Sequence, residues 1–78
     1  MSEAEILSRI VVNPAVLTGK PVIRGLRLSV EHILRSISAG ISKVELMREL
    51  PELEPEDIQA CLFYAAHLVE EERVYPIT

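Results

Sequence analysis

The sequence predicts a mainly α fold: three helices in a helix-turn-helix arrangement, preceded by a short β-structured N-terminal arm. Three observations carry that prediction. Apolar residues recur at helical spacing from Ser29 onward, first at Val30, Ile33, Leu34 and Ile37, later at Ile58, Cys61, Leu62, Ala65 and Val69. Short β-branched runs broken by turn residues fill the stretch before Ser29. The links between the helical segments are only a few residues long, which makes consecutive helices pack on one another.

The arm occupies residues 9–28. Ile10-Val11-Val12 is a β-branched run stopped by the turn pair Asn13-Pro14. Val16-Leu17 follows, then the turn Thr18-Gly19-Lys20-Pro21, then Val22-Ile23, broken at Gly25. This reads as two or three very short strands. A lone hairpin is marginal in water, so the arm must lie on the helices or pair with another chain.

The helices are read from their punctuation. Ser29 is a good N-cap, and Gly40 ends the first helix as a left-handed C′ residue. Ser42-Lys43-Val44-Glu45 is an S-x-x-E capping box, so a second helix starts at once, with Val44, Met47 and Leu50 as its apolar face. Pro51 stops it. Glu54-Pro55-Glu56-Asp57 opens the third helix, with proline at the first helical position and acids in the first turn. Glu70-Glu71-Glu72-Arg73 ends that helix in solvent, and residues 74–78 are a tail. The expected lengths are about 10, 8 and 18 residues. The predicted core is Val30, Ile33, Leu34, Ile37, Val44, Met47, Leu50, Ile58, Cys61, Leu62, Ala65 and Val69. A tri-helical unit over residues 29–73 is the homeodomain-like helix-turn-helix scaffold.

Size and charge narrow the function. A chain of 78 residues makes one domain, and it buries only about 60–65% of its unfolded surface. Its one cysteine cannot form an internal disulfide, so a homodimer is the expected remedy and the cytoplasm the expected compartment. No apolar run approaches the roughly 20 residues of a membrane span. The acidic opening MSEAEILSRI does not read as a signal peptide. The net charge of −4 is unevenly spread. Residues 1–35 carry five basic and three acidic side chains, whereas residues 36–78 carry three basic and nine acidic ones.

Double-stranded DNA is a candidate partner, but not through the whole surface. The segment Gly19–Arg27 holds Lys20, Arg24 and Arg27 and no acid, so it is the better phosphate-binding candidate. Lys43 and Gln59 are further DNA-binding candidates, Gln59 as a base reader on the third helix. Glu54, Glu56 and Asp57 at the start of that helix repel phosphate, which shifts the expected contact to the arm. The competing reading pairs the arm arginines with the acidic helices. No catalytic residues, metal ligands or cofactors are expected. Cys61 lies on an apolar stripe, His32 and His67 lie on different helices without ligand spacing, and no phosphate-binding glycine motif occurs.

The stretch Asn13-Pro14, then Gly19-Lys20-Pro21-Val22-Ile23-Arg24-Gly25-Leu26-Arg27-Leu28-Ser29-Val30, resembles the short proteins grouped as domain of unknown function 433. The likeness continues through Ala39–Ser42, Leu50–Leu53 and Glu56–Ala65, and covers roughly residues 10–71. The resemblance implies a homeodomain-like helix-turn-helix with a β-structured arm. It also implies an antitoxin-like role beside a PIN-like ribonuclease toxin, and it brings no catalytic residues. The chain departs from that pattern at Leu26 and at Glu54, where the family commonly has threonine. Glutamate is the poorer N-cap, so fraying is expected at the start of the third helix. The function expected is therefore an antitoxin-like protein that binds a toxin and its own operator. The alternative is a protein–protein interaction module that binds no DNA.

Overall fold

The computed structural model describes residues 1–15 and 17–71. Val16, the helix end at Glu72-Arg73 and the expected tail lie outside the described residues. Among the described residues the chain is mainly helical, with four helices and one two-stranded antiparallel sheet. The extra helix is a correction to the three foreseen.

That helix, α1 (Glu3–Leu7), forms because Ser2-Glu3-Ala4-Glu5 is itself a capping box. Ser2 Oγ accepts from the Glu5 N–H at 3.2 Å, and Glu5 Oε1 accepts from the Ser2 N–H at 3.5 Å. Five residues cannot hold a helix alone. α1 is kept by packing on the last helix, where Ile6 is buried and His67 Nε2 lies 2.8 Å from Glu3 Oε2.

The arm then makes β1 (Ile10–Val12) and β2 (Pro21–Ile23), antiparallel, with Ile10 opposite Ile23, Val11 opposite Val22 and Val12 opposite Pro21. Between them a single 3₁₀ turn over Leu17–Gly19 reverses the chain, with all three residues at positive φ. The ladder continues past the strands: Arg24 N–H donates to the Arg9 carbonyl at 2.7 Å and Ile23 N–H to the Leu28 carbonyl at 3.0 Å.

The remaining helices are α2 (Val30–Ser38), α3 (Lys43–Glu49) and α4 (Pro55–Glu71). Ser29 caps α2 through the His32 N–H, and Ser42 caps α3 through the Glu45 N–H. Gly40, at φ +93, closes α2. The Ile41 N–H donates to Ser36 O and the Gly40 N–H to Ile37 O, the two bonds of a Schellman motif. No described helix is long and apolar enough to cross a membrane.

One core joins these pieces. Ile23 from the arm, Val30 and Ile33 from α2, Leu46 from α3, Leu53 from the turn, and Ile58 and Cys61 from α4 are fully or almost fully buried together. Three expected core residues are not there: Val44 is 61% exposed, Leu62 39% and Val69 59%. In a seven-residue helix two apolar stripes compete, and the arm and α4 select Leu46, Met47 and Leu50 rather than the side carrying Val44. On α4 the buried face runs through Asp57, Ile58, Ala60 and Cys61, which turns Leu62 and Val69 outward.

Two outcomes follow from this packing. Leu46→Ala should lower unfolding free energy by about 3 kcal/mol, whereas Val44→Ala should change it by less than about 0.5 kcal/mol, measured by urea denaturation. The α1–α4 contact should depend on pH. Glu3, hydrogen-bonded to the His67 ring, holds that imidazole's pKa above its ordinary value, with Glu70 and Glu71 adding to the effect. A raised folded-state pKa makes the contact fully stabilising below the unfolded value of about 6.5 and weakens it as pH rises through the folded value. Amide protection at Ile6 to Ser8 should therefore fall as pH rises past about 6.5 and through the raised folded value, and His67→Gln should abolish that pH dependence.

Candidate functional site

The sequence Ile23-Arg24-Gly25-Leu26 folds into a tight turn at the end of β2. The Leu26 N–H donates to the Ile23 carbonyl at 3.0 Å, and Gly25 takes φ +80 at the third position. That left-handed position favours glycine, so the turn holds the flanking Arg24 and Arg27 on a short, constrained loop. Both arginines are exposed. Among the described residues neither makes a salt bridge.

The turn lies against the start of α4. Arg24, Gly25 and Leu26 line one side of a small cleft of about 220 Å³, and Glu52, Glu54 and Asp57 line the other, with Arg9 between. On the opposite side of the turn Arg27 and Leu28 line a groove with Leu50, Pro51 and Glu52 from the α3–α4 link. The basic turn and the first turn of α4 therefore form one surface.

Arg9 and Asp57 set that geometry. Arg9 Nη1 lies 3.0 Å from Asp57 Oδ1 and 3.3 Å from Glu54 Oε1. The other carboxylate oxygen, Asp57 Oδ2, accepts the Glu54 N–H at 2.8 Å. Asp57 is the third residue of α4, so its side chain supplies the reach-back half of a capping box. This bond supports the start of α4 despite the poor N-cap at Glu54. Asp57 is almost fully buried, with 6% of its side chain exposed, and Arg9 keeps 18% exposed. The Asp57 hydrogen bond raises the Arg9 pKa above its ordinary value, so the guanidinium stays charged. From the sequence alone, neither residue is assigned a positioning role. The acid three places after Glu54 was the available signal for half of the arrangement.

The other candidate DNA-binding residues are dispersed. Lys20 Nζ bonds Glu31 at 3.0 Å, and Arg35 Nε bonds the same carboxylate at 3.1 Å. These two cations, Lys20 first, hold Glu31 below the usual carboxylate range. Lys43 is exposed as the first residue of α3, and Gln59 is exposed on α4.

The single cysteine does not line this surface. Burial pushes the Cys61 thiol up to about 12, with the Asp57 charge adding to the effect, so it stays protonated at neutral pH. Among the described residues no three His, Cys, Asp or Glu side chains stand together to hold a metal ion.

Comparison with known proteins gives two matches. The family model described as "Protein of unknown function (DUF433)" matches residues 10–65. A crystal structure of a DUF433 member protein from Anabaena variabilis ATCC 29413 superposes with a TM-score of 0.75 at 28% sequence identity, covering 87% of this chain and 68% of that one. No curated protein matches.

The Asp57 geometry sets a graded expectation. Asp57→Ala loses the reach-back cap and leaves Arg9 unpaired, and should lower unfolding free energy by about 3 kcal/mol. Asp57→Asn keeps an oxygen for the Glu54 N–H and should lose less than half as much. Chemical denaturation of the two variants beside the parent chain measures both, and equal losses would show that the cap contributes little.

Proposed function

Since the chain belongs to the DUF433 family, matched over most of its length, we propose that it is an antitoxin-like helix-turn-helix protein. In this reading α2, α3 and α4 are the homeodomain-like unit, and α3 and α4 form the helix-turn-helix pair. The protein binds its own operator DNA and a PIN-like ribonuclease toxin in the cytoplasm, and it is not an enzyme.

The observation that carries the DNA half is the placement of Arg24 and Arg27. They are exposed and unpaired among the described residues, they sit on or beside a tight turn, and they line clefts with the α3–α4 link and the start of α4. Lys20, Arg35 and Arg9 are already engaged with carboxylates. The first turn of α4 carries Glu54, Glu56 and Asp57, so its dipole is already complemented by protein carboxylates and it repels phosphate. The backbone of DNA is therefore gripped from the arm. Lys43 adds a cation at the start of α3, and Gln59 is the base-reading side chain on α4.

A second reading is favoured by the same carboxylates. Glu52 and Glu54 face the basic turn across the cleft, and an acidic start of α4 suits a basic protein surface better than a nucleic acid. The protein is then an interaction module without DNA binding.

A mobility-shift titration on the DNA upstream of the chain's own reading frame separates the two. Operator binding predicts retardation that weakens as salt rises. The double variant Arg24→Ala, Arg27→Ala should bind more weakly and reduce the magnitude of the log–log salt slope by about 1.8 per chain. Absence of retardation at low salt rejects the operator reading and leaves the interaction module.

A further inference from the structure

α4 is longer than anything it packs on. At 1.5 Å per residue its 17 residues span about 25 Å, whereas the nine residues of α2 span about 13 Å. Beyond α2, α1 packs on one flank of α4, where Glu3 meets His67, but among the described residues the side carrying Leu68 stays open. Leu68 follows Cys61 by seven residues and Tyr64 by four, so it points the same way, yet it is 46% exposed. It ends an apolar groove of about 490 Å³ whose other walls include Val30, Leu34, Tyr64 and Ala65. Beside the groove, Leu62, Ala65 and Val69 fall at i, i+3 and i+7, the spacing of a two-helix seam. Leu62 and Val69, the core residues the packing turned outward, are both on that seam.

We infer that this face is closed by a second copy of the chain, α4 lying antiparallel against α4 across a two-fold axis. Charge selects this occupant. The groove rim carries Lys20 and Arg35 against the single acid Glu31, so it has a cation in excess. The end of α4 carries Glu70 and Glu71, both exposed. A two-fold contact is self-complementary, so the acidic end of each α4 reaches toward the other copy's Lys20–Arg35 rim while the apolar seams meet. A parallel arrangement would instead bring the two acidic ends together. The inference does not rest on operator binding: a dimer that ignores DNA leaves it intact, and a monomer that binds DNA overturns it alone.

Sedimentation equilibrium of the full chain, from a few micromolar to several hundred micromolar, tests it. The parent chain should self-associate to a dimer. Leu68→Glu and Val69→Glu should each raise the dimer dissociation constant at least tenfold while circular dichroism keeps the parent helix content. Val44→Glu, an equally exposed apolar position on α3, should leave the dimer unchanged. Arg35→Glu should weaken the dimer at low salt, and adding Glu70→Arg and Glu71→Arg to it should restore association. A chain that stays monomeric throughout, or a dimer indifferent to both α4 variants, overturns the inference. So does a dimer lost equally in Val44→Glu.

Discussion

The buried carboxylate of Asp57 is the constraint on which the rest of the structure depends. One of its oxygens ends the orphaned backbone at the start of α4, and the other receives the guanidinium of Arg9. A single side chain thus performs a local and a long-range task. It begins the longest helix, and it binds that helix to the segment entering β1. The Arg9 carbonyl takes the Arg24 N–H at the same place, so the basic turn inherits its position from the same anchor. Core packing supplies most of the stability, but this polar knot fixes the angle at which the arm meets α4. Buried charge of this kind is costly unless fully partnered. Here no buried side-chain polar atom among the described residues lacks a partner.

The charge asymmetry acquires a physical meaning from this placement. The basic half does not present a uniform positive face. Arg9 is spent internally on Asp57 and Glu54, and Lys20 and Arg35 converge on Glu31. What remains on the arm without any carboxylate partner among the described residues is Arg24 and Arg27, while Lys20 and Arg35 together keep one positive charge in excess over Glu31. The acidic half is likewise divided. Asp57 is structural, Glu54 half-engaged, and Glu70 and Glu71 stand free of ion pairs among the described residues at the far end of α4. A net charge of −4 therefore hides a mixed surface, where Arg24 and Arg27 meet the acids at the start of α4, and an acidic one at the far end of the same helix.

Local chemistry was legible in the sequence wherever it acts over a few residues. The caps at Ser29 and Ser42, the stop at Gly40 and the proline start of α4 all depend on contacts within five positions, and the structure places them as read. The same S-x-x-E signature at Ser2–Glu5 was equally available. It was passed over because a helix of five residues has no periodicity to support it. Val44 was misplaced for a related reason: two turns of helix cannot distinguish one apolar stripe from its neighbour, and only the tertiary partner decides. The Arg9–Asp57 pair was not legible at all. Its members are 48 positions apart, and nothing in spacing or composition marks which of eight cations will meet which of twelve acids. The basic turn falls between these cases. Its residues and its glycine were evident, whereas its contact with the start of α4 depends on the fold.

The separation of Arg9 from Asp57 also bears on how the protein is made. A ribosome delivers the arm first, and at about 5–20 residues per second the partner carboxylate follows roughly 2–10 s later. During that interval β1 has neither its anchor nor the face of α4 that it lies on. The last helix, once delivered, still needs the first strand to complete its opening turn. Neither end is complete without the other, so the arm and the start of the last helix are expected to become ordered together. A truncation that removes either end should leave no folded remnant of the other.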